Sequence, residues 1–231
     1  MNVISVSDSK FLIFDSKVGE LVETIKDDLI KANIRSICLI DDGEEGKFNW
    51  AERVSDQDIA KRKNTRPSDS LRAGSKLLQM EMLLYTSGTT GLPKAAVISF
   101  MKLAGGPVIF KKWLDLKPSD RLYTCMPLYH STGLILGAAV VIVSGASLVL
   151  GRKFSRESTW NEIRQSQSTC FQYVGEMCRY LLSSPPSTED KIHNVRLAFG
   201  NGLRPDVWNK FRNRFGVGVI AEFYGATGSS I

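Results

Sequence analysis

The chain has 231 residues, of which 43% are hydrophobic and 23% charged, as in soluble globular proteins with a substantial core. Its net charge of +6 is modest and spread along the sequence, and no nucleic-acid recognition motif accompanies it. These features argue against a nucleic-acid-binding protein and favour solvated surface, with contact to anionic lipid as the alternative. Four cysteines without a CxxC pair and only two histidines argue against structural zinc and favour reduced, buried thiols.

The first predicted elements are a strand at residues 11–14, a helix at 18–32 and a buried strand at 36–40. The helix is predicted from apolar residues that recur at the spacing of one helix face. The three elements form a β-α-β unit, which would be right-handed if its strands are parallel. The polar segment that follows, about residues 41–75, is predicted to be a surface connection with one helical piece.

From residue 80 onward the pattern alternates between strand and helix, which predicts an α/β fold. The element that begins at Val97 is expected to be broken by Gly105, Gly106 and Pro107. Ligands in such folds bind beyond the carboxyl ends of the strands. The predicted strands are residues 80–85, 121–126, 148–150, 169–174, 195–199 and 217–223, and the predicted helices are 134–143, 158–165, 176–182 and one that Pro205 opens.

Residues 131–151 carry no charge and are long enough to cross a bilayer. A turn-forming run at residues 144–147 interrupts them, so a buried helix, a turn and a core strand are the preferred interpretation over a membrane span. The amino-terminal residues do not have the pattern of a secretory signal. The apolar residues at 134–136 and 171–174 are interpreted as core.

Residues 86–94 concentrate hydroxyl side chains, glycines and a lysine directly after an apolar strand. Glycines let the backbone approach an anion, hydroxyls donate hydrogen bonds, and the lysine adds a positive charge, which together indicate a polyphosphate loop. The spacing is not that of a Walker A loop, and Ala95 follows the lysine where that motif has Ser or Thr. The residues concerned are Thr86, Ser87, Gly88, Thr89, Thr90, Gly91 and Lys94.

This loop resembles the nucleotide-phosphate motif of the AMP-forming adenylating enzymes, which include the acyl-CoA synthetases. Three further segments, at residues 126–133, 199–208 and 223–227, resemble the next motifs of that family in the same order. The sequence GNGLRPDVW, within the second of these segments, is similar to that of the very-long-chain acyl-CoA synthetases, or fatty acid transport proteins, above all the fungal ones. The resemblance implies an incomplete large amino-terminal adenylation domain over residues 1–231, with mixed sheets and flanking helices, and with the small carboxy-terminal domain absent.

The resemblance also implies a role for individual residues. The loop with Lys94 would hold the β- and γ-phosphates of ATP, and His130 would lie beside the acyl carboxylate and the α-phosphate. Thr227 would contact the α-phosphate, so Lys94, His130 and Thr227 are the expected catalytic residues. The expected adenine-binding residues are Gly200, Asn201 and Gly202 as a wall for the ring, Tyr224 as a stacking partner, and Gly225 and Ala226 beside it. The alternatives are a flexible loop, a packed histidine, an ordinary strand-to-helix turn and a packed tyrosine. For the apolar residues at 134–136 and 171–174 the resemblance offers the lining of an acyl channel as the alternative to core.

The implied reaction joins a long-chain or very-long-chain fatty acid to CoA through an acyl-adenylate, with ATP and Mg²⁺ as cofactors and CoA as co-substrate. The implied location is the cytosolic face of a membrane (endoplasmic reticulum, plasma membrane, peroxisome or lipid droplet), with peripheral association expected. The family motif continues with a glutamate that binds magnesium, whereas Gly228 follows Thr227 here, so no metal ligand is assigned.

Three hypotheses remain open from the sequence. The first is an acyl-CoA synthetase recorded as a partial chain, and the second is a nucleotide- or acyl-binding remnant without catalysis. The third is a fragment that cannot fold, because strands without their neighbours leave open edges. The length of the fatty acid and the oligomeric state are not indicated by these residues.

Overall fold

The computed structural model describes residues 10–40, 48–55, 80–86, 94–225 and 227. The chain divides into two compact units, Met1–Ser75 and Lys76–Ile231.

The first unit contains a parallel sheet in the order β1-β2-β3, formed by β1 (Phe11–Asp15), β2 (Arg35–Ile40) and β3 (Glu52–Ser55). Strands β1 and β2 confirm the predicted pair, and their parallel pairing is observed. Strand β3 lies within the segment predicted to be a connection, and that prediction was wrong there. Its sequence, ERVS, is short and half charged, so no alternation of apolar residues marks it.

The helix predicted over residues 18–32 is also wrong, because the chain forms two short helices, α1 (Gly19–Glu23) and α2 (Lys26–Lys31). Between them the backbone tightens: the N–H of Thr24 bonds to the carbonyl of Leu21, three residues back, and the Thr24 hydroxyl donates to the same oxygen at 2.7 Å. A threonine hydroxyl that bonds back in this way competes with the regular helix ladder.

The second unit begins with an antiparallel hairpin of β4 (Met80–Thr86) and β5 (Lys94–Ser99). A π-helical segment, Met101–Gly105, follows and continues without a break into α3 (Gly106–Trp113). The break expected at Gly105, Gly106 and Pro107 is therefore absent. Pro107 lies at the start of α3, one residue after the π-helical segment ends.

A five-stranded sheet forms the centre of the second unit, with the order β10-β9-β8-β6-β7. All neighbouring strands are parallel. The strands are β6 (Arg121–Thr124), β7 (Ser147–Leu150), β8 (Cys170–Val174), β9 (Leu197–Asn201) and β10 (Val219–Glu222). The connecting helices are α4 (Ser131–Gly133), which runs through a π-helical turn into α5 (Val140–Ser144), then α6 (Thr159–Gln165), α7 (Gly175–Ser183) and α8 (Pro205–Phe215).

The helices cover both faces of this sheet. On one face α6, α7 and α8 pack around Trp160, Phe171 and Phe211, and on the other α3 and α5 pack around Leu122, Val140 and other apolar side chains. The chain moves outward from β6 to β7, then returns to β8 on the other side of β6. Right-handed crossovers in opposite directions place their helices on opposite faces. The carboxyl ends of β6 and β8 therefore form a topological switch point, where α/β proteins bind ligands.

The uncharged residues 131–151 form a helix, a turn and strand β7, as predicted. Val140 is fully buried in the core and Val141 nearly so. None of the helices in the described ranges is long and apolar enough to cross a membrane. All four cysteines are buried and none of them forms a disulfide, which agrees with the prediction of reduced thiols.

An ion pair with a buried carboxylate joins the strands at the amino edge of the sheet, opposite the switch point. The guanidinium of Arg196, just before β9, donates to both carboxylate oxygens of Asp120, just before β6, at 2.9 and 2.5 Å. The Thr169 hydroxyl and the N–H of Lys117 donate to the same carboxylate at 2.7 and 2.8 Å. Burial raises the pKa of Asp120, but these hydrogen bonds outweigh it and lower the pKa from 3.8 to about 2.

We expect Asp120→Ala to reduce the free energy of unfolding by about 3 kcal/mol at neutral pH, because it leaves the Arg196 charge without its buried partner. Since the pKa of Asp120 is lower in the folded state, its contribution is present above about pH 4 and is lost as the pH falls towards 2. The variant should lack this part of the acid dependence in denaturant titrations at several pH values. Asp206→Ala is the control, since it removes an exposed carboxylate in the first turn of α8. An equal effect of both changes would contradict the assignment.

Candidate nucleotide site

The hairpin β4–β5 holds the two ends of the glycine-rich loop together. Thr86 and Lys94 are paired across the strands, and the Thr86 hydroxyl donates to the Lys94 carbonyl at 3.3 Å. A strand thus follows the loop, whereas the Walker A loop leads into a helix. The remaining predicted phosphate-binding residues, Ser87, Gly88, Thr89, Thr90 and Gly91, lie outside the described residues.

His130 lies at the switch point, at the end of the loop that leaves β6. It caps the helix over residues 131–144, because its Nδ1 accepts the N–H of Thr132 at 3.2 Å. Its side chain is exposed. The loop is pressed against the helix start, since a Cβ on Gly133 would lie 2.4 Å from the Pro127 carbonyl oxygen. The position of the imidazole is therefore fixed by backbone packing and by its own cap.

A fully buried glutamine ties this helix start to the sheet. Gln172, in the middle of β8, accepts the Thr124 hydroxyl at 2.7 Å and donates from Nε2 to the Thr132 carbonyl at 3.0 Å. Thr124 in turn accepts the N–H of Met126, at 3.1 Å. The end of β6, the middle of β8 and the cap of His130 are thus one hydrogen-bonded network.

The glycines of the predicted adenine turn have separate structural reasons. A Cβ on Gly200 would lie 2.1 Å from the Tyr173 carbonyl oxygen, so neighbouring strand β8 requires a glycine there. Gly202 has φ +77°, the left-handed region, and nothing lies within 4 Å of its missing Cβ. Asn201 between them has a buried Oδ1 without a hydrogen-bond partner among the described residues. Open space therefore lies at Gly202 and not at Gly200.

The last motif joins both of these regions. The N–H of Phe223 donates to the Gly200 carbonyl at 3.0 Å, and the Thr227 and Ser131 hydroxyls are hydrogen-bonded at 2.8 Å. Tyr224 is 97% exposed, so the alternative of a packed ring does not hold among the described residues. Gly225 is also exposed, and Ala226 lies outside the described residues.

The predicted residues thus fall into two groups. Thr86 and Lys94 are paired at the end of the hairpin. His130, Thr227 and the Gly200 turn lie at the carboxyl edge of the parallel sheet, where hydrogen bonds join Ser131 to Thr227 and Phe223 to Gly200. The π-helical segment that follows β5 packs against Leu134–Ala139, so the hairpin and the sheet belong to one packed body.

The sequence analysis did not single out three residues of this region as site residues: Gln172, Ser131 and Glu222. Glu222, at the end of β10, accepts the Tyr173 hydroxyl at 2.8 Å and the N–H of Leu203 at 3.1 Å. Burial and then this hydrogen bond raise the pKa of Tyr173. For Gln172 and Glu222 the available signal was a polar residue within, or at the end of, a strand that is otherwise apolar, as in CFQYV.

Cysteine chemistry does not contribute to the site. Cys125, at the end of β6, is buried, and burial raises the pKa of its thiol to about 11. A thiol with this pKa stays protonated at neutral pH and is a poor nucleophile.

The ligands that Mg²⁺ prefers are oxygen atoms, above all carboxylates, and the described part of the chain contains no cluster of three His, Cys, Asp or Glu side chains that could hold a metal. Thr86, Lys94, His130 and Thr227 carry no carboxylate, and that of Glu222 already accepts the Tyr173 hydroxyl and the Leu203 N–H. The described site therefore does not fit a protein-held magnesium ion.

Gly200→Ala should destabilise the protein by about 1–3 kcal/mol, because its methyl group would meet the Tyr173 backbone and force the strands apart. Gly218→Ala is the control, since its Cβ would make an ordinary contact of 3.4 Å with the Arg196 carbonyl. Thermal unfolding of both variants measures the difference. A Gly200→Ala protein as stable as the Gly218→Ala protein would show that β8 and β9 are not this close.

Comparison with known proteins agrees with the four motifs. The family model described as AMP-binding enzyme matches residues 1–231. A very long-chain fatty acid transport protein of Cochliobolus heterostrophus is 48% identical over 164 residues, which cover 71% of this chain and 26% of that protein. A medium/long-chain-fatty-acid–CoA ligase of Mycobacterium tuberculosis, FadD6, is 41% identical over 174 residues, 74% of this chain and 29% of that protein. The chain therefore spans little more than a quarter of the length of these relatives.

The fold of the chain is also similar to that of a known structure. The crystal structure of ATP-bound MatB from Rhodopseudomonas palustris superposes with a TM-score of 0.75 at 21% identity, over 98% of this chain and 42% of that one. This likeness confirms the predicted fold, that of part of an adenylate-forming domain. With the family model matched over the whole sequence, the chain belongs to the AMP-binding enzyme family.

Proposed function

We propose that this chain is the part of a long-chain or very-long-chain fatty acid–CoA ligase that binds ATP and forms the acyl-adenylate. The observation that carries the proposal is the hydrogen bond between Ser131 and Thr227, 2.8 Å long. It joins two motifs 96 residues apart in the sequence, next to His130 and at the switch point of the sheet. Ligand binding is expected at that point of an α/β fold.

The first half-reaction forms a bond between a carboxylate oxygen of the fatty acid and the α-phosphorus of ATP. The bond from that phosphorus to the bridging oxygen breaks, and pyrophosphate leaves with the electron pair. The protein has to hold the reactants in line and offset negative charge. In the proposal the Lys94 amine pairs with the β- and γ-phosphates, and the His130 imidazole and the Thr227 hydroxyl donate to oxygens on the α-phosphate.

The adenine ring would stack on Tyr224, whose exposed side chain is free to receive it, and would lie against the open space at Gly202. The unsatisfied Asn201 oxygen nearby costs stability, which is consistent with a turn kept for binding. The remaining predicted contacts, from residues 87–91, Gly225 and Ala226, are part of the same proposal.

For the whole protein we propose transfer of the acyl group to CoA and association with the cytosolic face of a membrane. The names of the fatty acid transport protein and of the CoA ligase among the relatives support the substrate class. We propose no organelle and assign no step to magnesium, since the described residues contain no cluster of side chains that could hold it. We also retain the proposal that residues 1–231 belong to one adenylation domain, which the extent of the family match supports.

The second candidate function is nucleotide binding without catalysis. It is favoured by Gly228, which stands where the family motif has its metal-binding glutamate. Phosphate charge would then be less well neutralised, and transfer would slow more than binding.

Calorimetric titration of the purified, folded chain with ATP and Mg²⁺ tests both candidates. We expect saturable binding, and we expect Lys94→Ala to weaken it about tenfold because a charge-assisted contact to phosphate is lost. Lys112→Ala, another exposed lysine, should bind like the wild type. Equal affinity of the wild type and Lys94→Ala would contradict the assignment of the loop.

Exchange of labelled pyrophosphate into ATP, in the presence of a long-chain fatty acid, separates the two candidates. Exchange indicates adenylate formation, and its loss in His130→Ala with ATP binding retained would support the proposed role of the imidazole. Binding without exchange favours the second candidate. A folded chain that does not bind ATP would contradict both.

A further inference from the structure

We infer that the buried Gln172 is a positioning residue that, through Thr132, presents His130 as a neutral imidazole with its proton on Nε2, ready to donate to an anionic oxygen. The position of His130 in the site rests on the proposed function. The tautomer and its dependence on Gln172 rest on the hydrogen bonds alone.

Burial of the polar Gln172 side chain costs free energy of folding unless its amide is hydrogen-bonded. It is fully buried between β6 and the helix start, in a strand whose other residues are mostly apolar. A buried amide must satisfy its donors and acceptors, and an apolar side chain of similar volume would fill the same space without that requirement. Gln172 meets the requirement with the Thr124 hydroxyl on one side and the Thr132 carbonyl on the other. The group that it fixes in the site is therefore Thr132.

Thr132 passes this constraint to the histidine. Its carbonyl accepts from Gln172, and its N–H donates to Nδ1 of His130. A ring nitrogen that accepts a hydrogen bond carries no proton, so the proton of the neutral imidazole is on Nε2. The Nε2–H has no hydrogen-bond partner within the described ranges, and the His130 side chain is exposed. A fixed donor of this kind stabilises developing charge without reorganisation.

The second histidine of the chain, His193, has the same tautomer, but both of its ring nitrogens are hydrogen-bonded within the protein. Nδ1 of His193 accepts the N–H of Val195 at 2.9 Å, and its Nε2 lies 2.6 Å from the Phe215 carbonyl oxygen. The ring also packs edge-on against Trp160, with centroids 5.0 Å apart. His193 is therefore a structural histidine whose two nitrogens are both satisfied, and it serves as an internal reference for His130.

Long-range ¹H–¹⁵N NMR spectra of the ¹⁵N-labelled full chain test the inference, at mildly alkaline pH where imidazole is neutral. They distinguish protonated from unprotonated ring nitrogens, and the chain has only two histidines to assign. In the wild type we expect both histidines with the proton on Nε2. Gln172→Met should turn His130 into a mixture of tautomers and leave His193 unchanged. Gln165→Met, the same substitution at an exposed position of α6, should change neither.

ATP titration of the same proteins gives the second measurement. We expect Gln172→Met to weaken binding about tenfold, as for loss of one charge-assisted hydrogen bond, while Gln165→Met binds like the wild type. If Gln172→Met does not fold, which the His193 signals would reveal, Thr124→Val loosens the same amide from its other partner and should give a smaller shift towards mixed tautomers.

Two results would overturn the inference: a wild-type His130 that is not predominantly protonated on Nε2, or a folded variant whose His130 tautomer is unchanged. Failure of the proposed function is a different result. A wild type that shows the expected tautomers but does not bind ATP would leave the role of Gln172 in place and remove ATP as the ligand.

Discussion

Strands β6 and β8 pair with each other where the chain reverses its winding, and the architecture of the candidate site depends on this pair. The helix after β6 covers one face of the sheet and the helix after β8 covers the other. In α/β folds such a reversal is where ligands bind, beyond the carboxyl ends of the two strands. A buried hydrogen bond between Thr124 and Gln172 links these strands, and His130 lies at the end of the loop that follows β6. The order of the strands thus brings the polar side chains of the site to this edge, and hydrogen bonds then fix their positions.

The two edges of the sheet differ in how their polar groups are satisfied. At the amino edge the Asp120 carboxylate receives four hydrogen bonds, which is close to all that a carboxylate can accept. At the carboxyl edge Asn201 has a buried oxygen without a hydrogen-bond partner among the described residues, and Tyr224 is 97% exposed. The amino edge therefore serves stability, and the carboxyl edge retains unused interactions that a ligand can satisfy.

The sequence predicted the elements that a strong local pattern specifies. The apolar runs of β8 and β9 are buried strands, and Gly202 is a turn residue with positive φ. Strand β3 could not be predicted, because its stability comes from pairing with β2 and not from its own residues. The same limit applied to the motif residues, whose identities could be recognised but not their partners. That Ser131 meets Thr227 and that Gln172 holds Thr132 are long-range facts of the fold.

The hairpin that carries Lys94 has an irregular register at its base. Met80 pairs with Ser99 and Met82 with Ile98, so the ladder shifts by one residue between these pairs, whereas from Met82 to Thr86 it runs without interruption. Side chains alternate between the two faces of a strand, so a slip of one residue reverses every one of them. The bulge absorbs the extra residue far from the loop. The register of the two strands therefore determines on which face of the hairpin the Lys94 side chain lies. If the pairing shifted by one residue, the same loop sequence would place the Lys94 charge on the opposite face.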